Sequence, residues 1–210
     1  AVTQSGALAI TGATTISASG RDVTLNTATN NFAAAVGITG ANVAVVDAGA
    51  IDLGASTVSG TYAVTATAGG DITDSGVLSI SGTSTLTVAD GRSIILDQAS
   101  TFGTVTFVAS SSGTIAAVTI NDSNALDLGA LTTTGNLTVT AGGAVTDSGA
   151  LVIPGTATIS ASGQDVTLDD ASNDFGTLAI TGANVAIIDT NAIILGASTV
   201  SGTYAVTATA

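Results

Sequence analysis

The chain has 210 residues, of which 45% are hydrophobic, which is enough to build a continuous core. Its 15 acidic residues are all aspartate and are opposed by only two cations, Arg21 and Arg92, so the net charge is -13. Such a chain repels phosphate backbones and anionic membrane surfaces, and none of its apolar runs approaches the ~20 residues of a membrane span, so we expect neither nucleic-acid binding nor membrane insertion.

The kinds of residue present favour strands and tight turns. The apolar fraction is almost entirely Ala, Val, Ile and Leu, with 3% aromatics, no Trp and no Met. Turn-forming Asp, Asn, Gly, Ser and Thr are abundant, while helix-favouring Glu and Lys are absent. Without Cys or His, the chain has no disulfides and lacks the commonest catalytic base and metal ligand. We therefore expect backbone hydrogen bonds and packing to stabilise the fold, with no cofactor.

The first repeat unit consists of short alternating strands separated by turns that contain Gly, Asn or Asp. It ends at a pair of glycines, Gly69 and Gly70. Its main segments, in chain order, are AVTQSGALAITG at 1–12, ISASGRDVTL at 16–25, ITGANVAVVD at 38–47 and LGASTVSGTYAVTATA at 53–68.

The same segments return twice further along the chain. A diverged copy starts with DITDSG at residue 71, and near-identical copies return about 142 residues after the originals, so the unit is about 71 residues long. We predict one continuous segment of three units and expect it to belong to a longer repetitive chain. The units are 1–70, 71–143 and 144–210, and the late copies are ISASGQDVTL at 159–168, ITGANVAIID at 180–189 and LGASTVSGTYAVTATA at 195–210.

A shorter rhythm of roughly 20 residues lies within each unit, which is the length of three short strands and three turns. The rhythm predicts an all-β parallel β-helix, or β-solenoid, of about ten coils with three strands per coil. Strands stacked about 4.8 Å apart would make a rod about 50 Å long. Stacked β-sandwiches, the alternative, need a unit of roughly 90 to 100 residues with an aromatic anchor, which these units lack.

Two sets of residues are predicted to have structural roles. The phenylalanines Phe32, Phe102 and Phe175 occupy matching places in the three units, and we expect them to stack in one thicker corner of the core. The glycine pairs are expected to supply positive φ at coil turns. These glycines are Gly69, Gly70, Gly142 and Gly143.

The aspartates suggest two further kinds of site. Asp169, Asp170 and Asp174 could chelate calcium, but the matching run of the first unit, NTATNN, has no carboxylate, which favours turn chemistry and leaves calcium bridging open. Paired aspartates also cleave glycosides in some β-helix enzymes. Because Arg21 and Arg92 are scattered and no local cluster interrupts the repeat, we predict that the chain is not an enzyme.

Several segments resemble the repeats of the filamentous haemagglutinin family of large bacterial exoproteins. This resemblance implies a right-handed parallel β-helix shaft that is secreted through a dedicated outer-membrane partner and displayed outside the cell, at its surface. The segments that carry it are AVTQSGALAITGATTISASGRDVTL at 1–25, DITDSGVLSISGTSTLTVADG at 71–91, AVTDSGALVIPGTATISASGQDVTL at 144–168 and NDF at 173–175.

Three functional hypotheses follow. The first is a structural shaft without catalysis, whose partners are neighbouring repeats and, through other domains, a receptor. The second is a self-assembling extracellular filament whose identical subunits stack end to end through their open strand edges. The third is a carbohydrate-binding module, which needs a row of exposed aromatic side chains; Tyr62 and Tyr204 are too few to form one.

Overall fold

A computed structural model describes residues 1–209 as a parallel β-solenoid of about ten turns, which confirms the all-β fold. The only helical element in these residues is the 3₁₀ turn Ser110–Ser112, and no helix there is long and apolar enough to cross a bilayer. In chain order, the strands are β1 (Val2–Thr3), β2 (Ala9–Ile10), β3 (Thr14–Ser17), β4 (Val23–Leu25), β5 (Asn31–Phe32), β6 (Val36–Gly40), β7 (Val43–Asp47), β8 (Ile51–Leu53), β9 (Ser56–Val58), β10 (Tyr62–Ala66), β11 (Ile72–Asp74), β12 (Leu78–Val88), β13 (Arg92–Ala109), β14 (Ile115–Asp122), β15 (Leu126–Leu128), β16 (Leu131–Thr132), β17 (Leu137–Ala141), β18 (Val145–Asp147), β19 (Leu151–Ser160), β20 (Val166–Leu168), β21 (Asp174–Gly182), β22 (Val185–Asp189), β23 (Ile194–Leu195), β24 (Thr199–Val200) and β25 (Tyr204–Ala208).

The strands form because apolar residues alternate with small or polar ones, so that one side of each strand faces the core. In β10, for example, Tyr62, Val64 and Ala66 are buried, while Ala63 and Thr65 lie between them on the outer side. The longest strands, among them β12 and β13, bend around a corner and contribute to more than one sheet.

The solenoid has two large sheets that run along its length, and short strands lie at the edges between them. Each coil contributes one strand to each large sheet. Neighbouring strands within each sheet belong to successive coils and pair in parallel. The first sheet contains β1, β4, β7, β10, the ends of β12 and β13, β15, β18, β20, β22 and β25. The second contains β3, β6, β8, β11, the start of β13, β14, β17, the end of β19, β21 and β23.

The core is a set of apolar columns that run along the solenoid axis. In one column of the first sheet, Val45, Val64, Leu86 and Phe107 are direct partners in successive coils, and all four are buried. Burying each such side chain contributes about 1.5–3 kcal/mol relative to leaving it exposed. Each coil is therefore stabilised by the coil before it and the coil after it.

The sequence units are out of phase with the coils. Val2 and Val145 begin the first and third units and lie in the first sheet, whereas the equivalent Ile72 of the second unit pairs with Ile51 and Ile94 in the second sheet. Each unit is thus about three and a half coils long, and successive units are displaced by half a turn. The near-identical segments about 142 residues apart therefore lie on the same side of the solenoid.

Candidate functional site

The three phenylalanines are buried at the edges where the two large sheets meet. Phe32 and Phe175 each lie after a first-sheet strand and before a second-sheet strand, whereas Phe102 lies at the opposite edge. Because of the half-turn displacement, the side chains do not form the single corner stack expected from the sequence. Each pairs instead with an isoleucine of the preceding coil, namely Ile10, Ile80 and Ile153 respectively.

A buried aspartate lies beside two of these phenylalanines. The Asp47 carboxylate accepts a hydrogen bond from the backbone N–H of Phe32 at 2.7 Å and another from Gly49 at 2.6 Å. Asp189 does the same for Phe175 at 2.7 Å and for Asn191 at 3.0 Å. Both carboxylates are fully buried, so these hydrogen bonds offset the cost of removing them from water.

An asparagine lies two residues before each of these two phenylalanines and forms hydrogen bonds with the preceding coil. Asn30 accepts from the backbone N–H of Leu8 at 2.9 Å, and Asn173 accepts from that of Leu151 at 2.8 Å. The side-chain amide of each asparagine also donates one coil back, to Gln4 at 3.0 Å and to Asp147 at 2.6 Å. We call each phenylalanine, with the buried polar residues beside it, a polar corner.

The middle unit has a less complete polar corner. Ser100 replaces the asparagine, and its hydroxyl accepts from the backbone N–H of Leu78 at 2.9 Å. One oxygen of Asp74, the residue equivalent to Gln4 and Asp147, accepts from the backbone N–H of Asp97 at 2.8 Å, but its other oxygen is buried without a partner. Burial raises the pKa of Asp74 to about 6.

Asp122 occupies the place of Asp47 and Asp189 in this middle corner. Its Oδ1 accepts from the backbone N–H of Asn124 at 3.1 Å, whereas its Oδ2 is buried without a partner of hydrogen-bonding geometry. Burial raises the pKa of Asp122 as well. The polar corner is therefore complete in the first and third units and incomplete in the second.

The polar corners were not predicted from the sequence. The sequence pattern assigns the runs around Asn30 and Asn173, and the end of the segment that contains Asp189, to turns. Asn30 and Asp47 recur about 142 positions later as Asn173 and Asp189. A repeated Asp or Asn is equally compatible with an exposed turn and with a buried hydrogen-bonding position. The folded chain distinguishes the two, because Asn30, Asp47, Asn173 and Asp189 are all buried in it.

Further ladders of hydrogen bonds join successive coils on the outside. The Asp22 carboxylate accepts from the side-chain amide of Asn42 at 2.9 Å, and Asn42 in turn accepts from the backbone N–H of Thr61 at 3.1 Å. Asp165, Asn184 and Thr203 repeat this ladder with the same distances. The outer polar residues therefore also hold one coil to the next.

In the run that suggested calcium binding, Asp170 and Asp174 accept hydrogen bonds from protein donors. Asp170 accepts from the backbone N–H of Ser172 at 2.8 Å, and Asp174 accepts from the side-chain amide of Asn191 at 3.0 Å. Within residues 1–209, no group of three or more acidic side chains is arranged to hold a metal ion.

The glycine pairs lie at coil turns for two different reasons. Gly69 has φ of +79°, the positive value expected from the sequence. Gly70, Gly142 and Gly143 do not have positive φ, and the reason for glycine there is close approach between coils. A Cβ on Gly143 would lie 2.6 Å from the backbone nitrogen of Ala125, and one on Gly70 would collide with the equivalent Ala50.

Comparison with known proteins finds one family. The model of the family described as "Repeats of unknown function (DUF5649)" matches residues 1–39, 40–109, 115–181 and 182–210. No curated protein matches the chain, and no solved structure does either.

We predict that Gly143→Ala destabilises the protein by about 1–3 kcal/mol, because the added methyl group must push the Ala125 backbone away. Gly129→Ala is the matched control: its Cβ would meet nothing closer than the Val105 carbonyl oxygen, at 3.9 Å. The midpoint of urea denaturation measures the stability of each variant. Equal midpoints for the two variants would contradict the role given to Gly143.

We predict that Ser100→Asn restores the missing hydrogen bond to Asp74 and lowers the pKa of that carboxyl group. With a folded-state pKa of about 6 against an ordinary 3.8, Asp74 adds stability at acid pH that is lost as the pH rises through about 6. Ser100→Asn should reduce this loss. Urea midpoints from pH 4 to 7 and a carboxyl ¹³C titration of Asp74 measure the two effects.

The control for this prediction is Asp74→Asn, which removes the titrating group. In that background, Ser100→Asn should leave the pH dependence of the urea midpoint unchanged. If it changes the pH dependence equally in both backgrounds, its effect does not pass through Asp74.

Proposed function

The chain belongs to the DUF5649 family of repeats, and on that premise we propose that it is a structural shaft, a non-catalytic rod within an extracellular bacterial surface protein. The shaft holds other parts of that protein at a distance from the cell. Adhesion and secretion belong to other domains of a longer chain, which engage a receptor and an outer-membrane partner.

The observation that carries this proposal is the continuity of the ladder. The first sheet pairs strand to strand from Val2–Thr3 to Tyr204–Ala208, and the apolar columns run beside it without a change of architecture. Each coil contacts mainly its two neighbours, so adding repeats lengthens the rod without changing its cross-section. This is the geometry that a spacer requires.

The polar residues support the same role. Asp47, Asp147 and Asp189 accept hydrogen bonds from a neighbouring coil, and the outer ladders from Asp22 and Asp165 also run between coils. These side chains therefore serve to connect coils. Tyr62, one of the two tyrosines considered for carbohydrate binding, lies in the core.

Composition and repeat style support an extracellular location. A chain without cysteine avoids unwanted crosslinks in an oxidising compartment, and a net charge of -13 opposes sticking between neighbouring rods. A solenoid can also fold coil by coil as it emerges from a membrane pore, because each coil needs only its neighbour. The resemblance to filamentous haemagglutinin repeats agrees with this location.

We predict that dilute single copies of the chain are rods about 50 Å long, the length of about ten coils at about 4.8 Å spacing. Two copies joined in one polypeptide by a Gly-Gly linker should give a rod about twice as long with the same cross-section. Small-angle X-ray scattering provides both the length and the cross-sectional radius. Round particles, or a doubled chain that folds back on itself, would contradict the shaft.

The proposed extracellular location of the chain is tested in a separate experiment. Gold-labelled antibodies against the chain should decorate the surface of intact source cells, and external protease should remove the label without lysis. Label that appears only after the cells are broken open would exclude the extracellular proposal.

A further inference from the structure

The three repeat units contain three versions of one turn, which lies between a buried leucine and the buried phenylalanine of each polar corner. The turn is at residues 26–30 in the first unit and 169–173 in the third. In the second unit it is at residues 97–100 and is one residue shorter. We call this second version the middle turn. The same fold surrounds all three turns, so their hydrogen bonds can be compared directly.

In the third unit, side chains from the coils on both sides hold the turn. On the preceding coil, Asp147 accepts from the backbone N–H of Asp169 at 2.9 Å through Oδ1 and from the side-chain amide of Asn173 at 2.6 Å through Oδ2. On the following coil, Asp189 accepts from the backbone N–H of Phe175 at 2.7 Å. Both oxygens of Asp147 therefore have donors.

The middle turn keeps only part of this arrangement. Asp74 Oδ1 accepts from the backbone N–H of Asp97 at 2.8 Å, as its third-unit counterpart does. Ser100 stands in place of the asparagine, and Asp74 Oδ2, the oxygen that would accept from an asparagine amide, is buried without a protein donor. On the following coil, Asp122 Oδ2 also lacks a donor of hydrogen-bonding geometry.

Strand pairing does not hold the turn in any of the three units. The pairing with the following coil ends at Leu25 in the first unit and at Leu168 in the third, and it shifts register between Leu96 and Ser100 in the second. Residues 97–99 therefore have no strand partner in β14. The side chains of each polar corner thus determine how firmly the turn is held.

The charged groups around Asp74 are all negative. Burial, together with the charges of Asp97 on the following coil and Asp52 on the preceding one, raises the pKa of Asp74 from 3.8 to about 6, although the backbone N–H groups of Asp97 and Gln98 lower it. The remaining ionisable group that interacts with Asp74 is Tyr62, which is neutral because burial raises its pKa. An ionised Asp74 therefore faces no cation and has one oxygen without a donor.

We propose that the middle turn is a pH-sensitive switch, closed in acid and locally open near neutral pH, while the corresponding turns of the first and third units stay closed at both. Moving the turn outward brings water to the second oxygen of ionised Asp74. The protonated carboxyl group needs less hydration and stays in the closed corner. The switch goes beyond the shaft function, since it gives the rod one mobile point without breaking its strand ladders.

The sign of the effect follows from the raised pKa of Asp74. A carboxyl group whose pKa is higher in the closed state stabilises that state in acid, and the stabilisation is lost as the pH rises through about 6. With pKa values of about 6 closed and 3.8 open, the open fraction rises at most about tenfold between pH 5 and pH 7.5. Because water screens charges near the surface, we expect a rise of about three- to tenfold.

Hydrogen exchange of the wild-type chain tests the switch directly. The exchange rates of the Asp97 and Gln98 amides are measured at pH 5 and pH 7.5, and each is divided by the intrinsic rate at that pH. Their protection should fall by the expected factor, while that of Asp169 and Asp170 in the same sample stays constant. Equal protection of the middle turn at both pH values would overturn the proposal.

Substitutions test whether the missing asparagine amide is the cause. Ser100→Asn supplies the donor and should reduce the pH response of the middle turn to less than about twofold. Asn173→Ser removes the donor from Asp147 and should give the third-unit turn a pH response of its own. The matched control is Asn30→Ser: its partner Gln4 carries no charge, so exchange of the first-unit turn should become faster by the same factor at both pH values.

The outcomes of these substitutions are decisive in both directions. Asp74→Asn cannot ionise and should abolish the pH response of the middle turn. A response that persists in Ser100→Asn or Asp74→Asn would overturn the switch. The absence of a response in Asn173→Ser, or an equal one in Asn30→Ser, would do the same, because an ionisable partner would then not be its cause. None of these results changes the dimensions of the rod, so failure of the switch leaves the shaft function intact.

Discussion

Backbone hydrogen bonding between parallel strands fixes the distance between successive coils at about 4.8 Å, and the rest of the structure must accommodate that distance. Inward side chains in one coil therefore contact those directly above and below, which favours columns of similar apolar residues such as Val45, Val64 and Leu86. It also brings backbone close to backbone where the chain turns. Gly70 and Gly143 are required there because a Cβ has no space.

The same constraint explains how buried polar groups are tolerated. A corner that turns out of the sheet leaves backbone N–H groups without strand partners, and a buried group of that kind costs about 1–3 kcal/mol. Asp47, Asn30 and Asn173 accept from such groups in the neighbouring coil. In the middle unit, where Ser100 stands in place of the asparagine, one oxygen of Asp74 is buried without a donor.

The solenoid was predictable from the sequence because alternating strands, Gly-rich turns and a rhythm of roughly 20 residues all indicate it. The half-turn displacement was not, because the number of residues between paired positions of successive coils varies from 17, between Val36 and Leu53, to 24, between Ile94 and Val118. Such variation obscures whether a unit of about 71 residues contains a whole number of coils. Phe32 and Phe102 were therefore assigned to one corner although they lie at opposite edges. The polar corners were missed because a sequence repeat does not reveal burial.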